Sequence, residues 1–209
     1  MNKFDCVAVL VGDLARRVGM NKVRCAWVPT GDDLYQHYHD NVWGVPVRDG
    51  KELFEFLLLE GAQAGLSWIT VLRKREHYRQ AYMDFDPVNI AGFNESKINQ
   101  LLQNPGIIRN RLKVMSAVKN ARAFLAMQEQ GINFSDFLWG FVEGEPIVNQ
   151  WQRIQEVPVR TQYSDRMAKE LKRLGFSFVG STICYAFMQA TGMVNDHTVD
   201  CFCYRKCQD

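Results

Sequence analysis

Apolar residues recur along this chain at helical rather than strand spacing. From Lys51 to Leu59 they run almost unbroken, as Leu53-Phe54-Glu55-Phe56-Leu57-Leu58-Leu59, which predicts a buried helix. Ser67 to Met83 predicts an amphipathic helix, with Ile69, Leu72 and Tyr82 inward and Arg73, Lys74 and Arg75 outward. Upstream, Asp32 to Tyr38 reads as a short helix, and Asn41 to Gly50 as a loop closed by Gly44, Pro46 and Asp49-Gly50. Downstream, Asp86-Pro87 is a cap followed by proline at the first helical position. Asn94 caps a helix through Gln103, with Ile98, Leu101 and Leu102 on one face. Asn104-Pro105-Gly106 breaks it, and a second helix is expected from Ile107 to about Met127 on a stripe of Ile108, Leu112, Met115 and Val118. Ser135 begins a short helix through Val142, and beyond a loop with Pro146 and Pro158 Ser164 caps another that Gly175 ends. Ser181 to Ala190 is apolar all round and stopped by Gly192. No segment alternates as a strand would, so the predicted fold class is all-α.

The stretch Glu60 to Leu72, EGAQAGLSWITVL, stands out within that pattern. Glu60 follows consecutive leucines, and a carboxylate so placed is partly desolvated, which raises its pKa unless a donor meets it. Gly61 and Gly65 let the backbone turn sharply, Ser67 can cap the next helix, and Trp68 offers a flat face. Together they would make a pocket for a flat, hydrogen-bonding ligand. The plainer alternative is a helix–turn–helix corner with Glu60 in water and Trp68 in the core.

Composition narrows the classes without choosing among them. The 209 residues are 47% hydrophobic and 23% charged, ordinary for one compact domain. A net charge of +2 permits nucleic acid as a partner without arguing for it. No apolar run reaches the length of a membrane span, and the N-terminal segment, with Asp5 and Asp13, lacks the basic start of a secretory signal. Met-Asn-Lys occurs at positions 1 and 20, so residues 1–19 read as an extension and residues 20–209 as a single domain. The six cysteines are too few and too uneven for a secreted disulfide scaffold; reduced thiols in a cytoplasmic protein, some of them metal ligands, fit better.

Three constellations could carry chemistry. His197 and Cys201 lie four apart, and Cys25 and His39 form a second pair at the other end of the chain. Two cysteines and two histidines make a full tetrahedral zinc set; as protein ligands in all four positions, they would hold one structural ion joining residues 25–39 to 197–201. His37 and Cys203 are the substitutes. The competing account leaves Cys201, Cys203 and Cys207 as exposed thiols and His39 as a turn cap. The second constellation is the helix–Asn-Pro-Gly–helix of residues 94–127. Its turn would offer free N–H groups to a phosphate, with Arg109, Arg111 and Lys113 just after it, unless it is an ordinary helical hairpin with a solvated basic face. The third is aromatic: Trp27, Tyr35, Tyr38, Trp43 and Trp68, placed either to stack on a base or to fill a core. His77, amid charged neighbours, is expected at the surface.

The strings RCAWV (24–28), LYQHYHDNVWGVP (34–46), LEGAQAGLSWITVL (59–72), GIIRNRLK (106–113), FVGSTICYAFMQA (178–190) and NDHTVDCFCY (195–204) resemble the DNA-3-methyladenine glycosylase I family, a divergent branch of the helix–hairpin–helix glycosylases. The resemblance spans roughly residues 20 to 204. It implies an all-helical helix–hairpin–helix fold with a zinc-stapled terminal region, and a base-excision repair enzyme that flips a damaged base into a pocket. The expected reaction is monofunctional hydrolysis of the N-glycosidic bond of 3-methyladenine in alkylated double-stranded DNA, releasing free 3-methyladenine. The enzyme would be a cytoplasmic monomer with no membrane partner. Carried onto this sequence, the zinc ligands fall on Cys25, His39, His197 and Cys201. Glu60 would contact the base, Trp68 would stack on it, Tyr35 and Tyr38 would line the pocket, and Trp27 and Trp43 would stand nearby. Leu66 matches the wedge that fills the gap left by the flipped nucleotide, and Gly106, Ile107 and Arg109 are the candidate contacts to the DNA backbone. Two departures stand out: Val42 occupies a position where the family pattern is acidic, and the interval from Cys25 to His39 is one residue longer.

Overall fold

The computed structural model describes residues 22–207; the expected extension 1–19, with Cys6, lies outside the described residues. The chain runs α1 (Asp33–Asn41), α2 (Gly50–Gln63), α3 (Trp68–Leu72), α4 (Arg75–Ala81), α5 (Pro87–Ala91), α6 (Glu95–Gln103) and α7 (Arg111–Glu129). It continues through α8 (Phe134–Trp139), β1 (Ile147–Val148), α9 (Gln162–Arg173), α10 (Ser181–Ala190), β2 (Val194–Asn195) and α11 (Cys203–Lys206).

Everything is built around α2. Asp49 caps it by accepting from Glu52 N, and every residue from Leu53 to Ala62 is buried. A helix this apolar can only sit among others, and α3, α7, α8 and α10 pack against it. The main apolar core runs from Val47 to Val194, while Cys25, Cys201 and Cys203 form a small separate cluster backed by Trp27, Trp43 and Phe202. No helix among the described residues is long and apolar enough to cross a membrane.

Several expected elements differ in the structure. The helix expected over Ser67 to Met83 is split at Lys74, where Lys74 N closes a three-residue turn on Val71 O. Glu55 provides the reason. It is a buried carboxylate inside α2, and such a group requires a partner. The break turns Arg75 inward, so that its Nε donates to Glu55 Oε1 at 2.7 Å, with Arg79 Nη2 at 3.1 Å. Arg75 is therefore half-buried rather than outward.

The second hairpin helix starts at Arg111, not Ile107, because Asn110 is its cap and Ile107 is committed to the core from the preceding loop. Its buried face is Val114, Ala117, Val118, Ala121 and Phe124; of the expected stripe, Leu112 and Met115 face solvent. Asn133 and Thr161, rather than Ser135 and Ser164, hold the cap positions of α8 and α9. The expected absence of strands also fails in a small way. β1 and β2 form a two-residue parallel ladder, pairing Ile147 with Val194 and Val148 with Asn195, too short to leave any alternation in the sequence.

The turn from α10 into β2 depends on Gly192, at φ +70°, where a Cβ would lie 2.4 Å from Pro46 N. Gly192→Ala combines a left-handed backbone with that collision, so we expect a loss of about 3 kcal/mol or more, a fall in Tm of roughly 6–12 °C. Gly131→Ala shares the positive φ but meets open space and should cost only about 1 kcal/mol. Equal melting temperatures for the two variants would contradict the close approach at Pro46.

Candidate functional site

The C-terminal turns of α2, the start of α3, one face of α1 and the face of α10 enclose a cavity of about 210 Å³. Trp27, Tyr35, Tyr38, Trp43, Glu60 and Trp68, all singled out in the sequence, line it together. Glu60 lies within α2 rather than in the following loop, 3% exposed, and its Oε2 has no hydrogen-bond partner. Burial alone pushes its pKa from 4.5 to about 8. Trp68 Nε1 is buried and unpartnered as well. Buried polar atoms without partners are uncommon in a relaxed interior, and two of them in one cavity mark a site shaped for a ligand. Tyr38 is fully buried, its ring 5.3 Å from that of Trp68 and tilted by 44°. Burial, with the nearby Glu60, pushes the Tyr38 phenol well above its usual range, so it stays neutral.

The local sequence explains the geometry only in part. Gly65, at φ +75°, turns the chain after α2, and Leu66 stands 40% exposed at the tip of the loop. Gly61 is helical, and its role is packing: a Cβ there would press on Phe178 Cβ at 3.3 Å. Ser67 holds the cap position of α3, but its hydroxyl pairs with Thr70 Oγ1 instead of a backbone N–H. Sequence reasoning missed the far wall: Gln63, Ile154, Val157, Ala186, Gln189 and Asp196. Asp196 is buried and accepts from Asn149 Nδ2, Trp151 Nε1, Tyr185 OH and Gln189 Nε2, tying the segment after β1 to α10. Its place beside His197 was the one available signal.

Behind the Trp27 and Trp43 wall, Cys25, His39, His197 and Cys201 converge from both ends of the chain. All four are buried, and one ligand atom from each lies within 4.8 Å of the others. Cys201 Sγ is 3.4 Å from His39 Nε2 and 3.6 Å from His197 Nδ1, and Cys25 Sγ is 3.5 Å from His197 Nδ1. The far ring nitrogens are held too, His39 Nδ1 at 2.9 Å from Asp40 Oδ1 and His197 Nε2 at 3.3 Å from Trp43 O. Arg24 in turn clamps Asp40 with two hydrogen bonds. Histidines oriented by an acceptor on the far nitrogen are the usual arrangement around a metal, and this cluster could hold an ion. Gly44, at φ +80°, brings the loop against His197, where a Cβ would sit 2.9 Å from Nε2.

The alternatives are now separable. His37 is exposed and bonded to Asn41, so it stands apart from the cluster. Cys201, Cys203 and Cys207 are buried rather than exposed thiols, and all five described cysteines are free. His39, Asp40 and Cys203 form a second, less complete group. The imidazole rings touch the cavity wall: Trp43 packs edge-on to His197 at 4.6 Å and Trp27 to His39 at 5.3 Å.

The hairpin of α6 and α7 is present, with an internally bonded turn. Gly106 N donates to Asn104 Oδ1 at 2.8 Å, and Ile108 N to Tyr78 OH at 3.1 Å. Arg109 is exposed, whereas Ile107 is buried in the core. Arg111 pairs with Glu95 on α6, and Lys113 points inward rather than to solvent. His77 is exposed, as expected.

A family model described as methyladenine glycosylase matches residues 27–204. The chain is 54% identical over 181 residues to DNA-3-methyladenine glycosylase 1 of Escherichia coli (strain K12), covering 87% of this chain and 96% of that protein. A crystal structure of 3-methyladenine DNA glycosylase I superposes with a TM-score of 0.85 at 55% identity, covering 87% of this chain and 99% of that one. A structure of the Staphylococcus aureus 3-methyladenine DNA glycosylase I, which gives the structural basis of its 3-methyladenine recognition, has a TM-score of 0.80 at 37% identity, covering 83% and 92%. Fold and sequence agree over nearly the whole described length, and the chain belongs to the methyladenine glycosylase family.

Proposed function

We propose that this protein is a DNA-3-methyladenine glycosylase, excising 3-methyladenine from alkylated double-stranded DNA by hydrolysis and leaving an abasic site. The observation that carries the reading is the unpartnered carboxylate of Glu60 in an aromatic cavity. Methylation at N3 gives adenine a positive charge and makes it a good leaving group, so positioning and discrimination matter more than strong acid catalysis. An everted base in the cavity would stack on Trp68, with Tyr35 and Tyr38 along its edges and Trp27 and Trp43 at the back. Glu60 would accept from its exocyclic amine and complement its charge. Unmodified adenine lacks that charge and leaves the buried carboxylate poorly satisfied. The N9–C1′ bond then breaks with its electron pair returning to the purine, and water adds at C1′ and gives up a proton.

Leu66 would fill the space vacated by the base, at a flipping cost of a few kcal/mol, roughly, that a damaged pair reduces. The α6–α7 hairpin of residues 94–127 is the proposed helix–hairpin–helix, with Gly106, Ile107 and Arg109 at the phosphates. Because Gly106 N is engaged by Asn104 in the free protein, that amide would have to exchange partners on docking.

Zinc is the ion that the Cys25, His39, His197 and Cys201 set fits. Zinc bonds of about 2.3 Å to sulfur and about 2.05 Å to nitrogen place tetrahedral S···N edges near ~3.6 Å. The observed separations of 3.4, 3.5 and 3.6 Å match. Four protein ligands make the ion structural, tying residues 25–39 to 197–201 within a single domain from residue 20 onward, which we take to act as a cytoplasmic monomer.

The deciding experiment incubates the protein with methylated duplex DNA and identifies the released base by chromatography. Free 3-methyladenine, with abasic sites and intact strands, is the expected outcome. Release of no base, or of 7-methylguanine in equal amount, would replace this reading by a binding module or by a broader alkyl-base glycosylase.

A further inference from the structure

Lys113 is not used by the mechanism above, yet its ammonium occupies a specific place. From the first turn of α7 its Nζ donates to Ala62 O at 2.8 Å and to Ala64 O at 2.7 Å. These carbonyls belong to the last turn of α2 and the residue after it, where helix carbonyls lack intrahelical partners and a cation is favoured. Between them lies Gln63, which lines the cavity and whose carbonyl accepts from Leu66 N. The short segment 64–67 thus has two fixed points, Lys113 on its near side and the cap of α3 on the other. Leu66 projects from the top of it.

The hairpin is itself braced. Arg111 joins α7 to Glu95 and Asn99 on α6, and Lys74 Nζ donates to Pro105 O at 2.6 Å. A rigid path therefore runs from the Asn-Pro-Gly turn through the start of α7 to the Leu66 loop, and Lys113 is its last link. Two of the three ammonium donors are spent on backbone carbonyls, which distinguishes Lys113 from the exposed Arg109 as a contact to phosphate.

We propose that Lys113 is a positioning residue that locks the Leu66 loop to the hairpin, so that docking of the hairpin on duplex DNA sets where the wedge enters. This rests on the reading of Leu66 as the wedge. It assigns Lys113 to eversion of the damaged nucleotide rather than to DNA affinity or to the chemistry of the cavity.

Lys113→Met and Lys113→Arg in the full chain test it, with the parent protein alongside. Four quantities are measured: binding of free 3-methyladenine by tryptophan quenching, affinity for unmodified duplex with its salt dependence, single-turnover excision at saturating duplex, and the fluorescence of 2-aminopurine beside the lesion as a report of eversion. For Lys113→Met, free-base binding should stay within about twofold and duplex affinity within about threefold, while single-turnover excision and the eversion signal fall about tenfold or more. Lys113→Arg, which can donate to both carbonyls, should recover to within about threefold of the parent. An excision rate for Lys113→Met within about threefold of the parent would overturn the proposal. So would a salt slope reduced by about one with saturated excision intact, the mark of a plain phosphate contact. Loss of free-base binding in Lys113→Met would show a collapsed pocket and overturn it as well. A parent that everts the base and releases none would instead refute the glycosylase reading and leave the link intact.

Discussion

Glu60→Gln is expected to make the free protein more stable and the enzyme nearly inactive. In the folded chain burial raises the Glu60 pKa to about 8, whereas the unfolded chain releases that proton near 4.5. Between these pH values the native state holds a proton that the unfolded state has lost, so stability falls as pH rises from about 5 to 8 and levels off above. By pH 7 the cost is about 3 kcal/mol. Glutamine removes it but buries an amide with few partners, returning about 1–2 kcal/mol of the gain. The net effect should be a Tm higher by a few degrees, at about 2–4 °C per kcal/mol for a chain of this size. More telling is the slope: the Tm of the parent should decline from pH 5 to 8 while that of the variant does not. Activity runs the other way. Losing a preorganised charge opposite a cationic base should lower excision on the order of 10²- to 10³-fold. In the parent, affinity for the cationic lesion should weaken about tenfold per unit as pH falls below the Glu60 pKa, because the carboxyl must first give up its proton. Parallel Tm profiles for parent and variant, or full excision by the variant, would remove Glu60 from the role assigned here.

What made Glu60 legible in the sequence was local: a carboxylate directly after a run of leucines has few ways to reach water, and α2 is buried around its whole circumference. The Cys25, His39, His197 and Cys201 set was legible for a different reason. Soft ligands at both ends of a chain have little use apart from one another, and the structure brings all four within 4.8 Å. The far wall of the cavity was not legible. Ile154 begins a single turn of 3-10 helix (Ile154–Glu156) and Val157 and Asp196 come from irregular chain, all too short for a hydrophobic period, and only tertiary folding brings them to the site. The split of the expected Ser67–Met83 helix was hidden because its cause, Glu55, lies 20 residues from the arginine it turns inward. In the hairpin, Ile107 and Ile108 continue the apolar pattern into the next helix, and the phase of α7 is set instead by the Asn110 cap. Read from the wrong first residue, a correct helical period assigned Leu112 and Met115 to the core. Lys113 was misplaced among the solvated cations for the same reason.

Cys201→Ser should produce the largest loss of stability of any single substitution outside the main core. The two arms meet at the Cys25, His39, His197 and Cys201 cluster, where Cys25, Cys201 and Cys203 form a small apolar cluster apart from the core that α2 anchors. The remaining ties between them are hydrogen bonds such as Phe202 N to Val23 O and Lys206 Nζ to Asp40 O. A structural zinc can contribute about 10 kcal/mol or more where the apo state is unfolded. None of the four side chains belongs to the main core, so the expected loss is confined to the ordering of the arms, about 3–5 kcal/mol, a fall in Tm on the order of 10 °C. Bound metal should drop from one ion per chain to a small fraction. The damage should also reach the cavity, since Trp27 and Trp43 pack directly on His39 and His197 and line the pocket on their other side. Binding of free 3-methyladenine should therefore weaken in Cys201→Ser, although no metal ligand touches the base. Cys203→Ser is the control. Its sulfur lies 3.9 Å from the carbonyls of His39 and Asp40 and outside the four-ligand set, so metal content and base binding should both survive. If Cys203→Ser loses the metal and Cys201→Ser keeps it, the ion belongs to His39, Asp40 and Cys203 instead. Unchanged Tm and base affinity in Cys201→Ser would mean that the wall of aromatic rings stands without a staple.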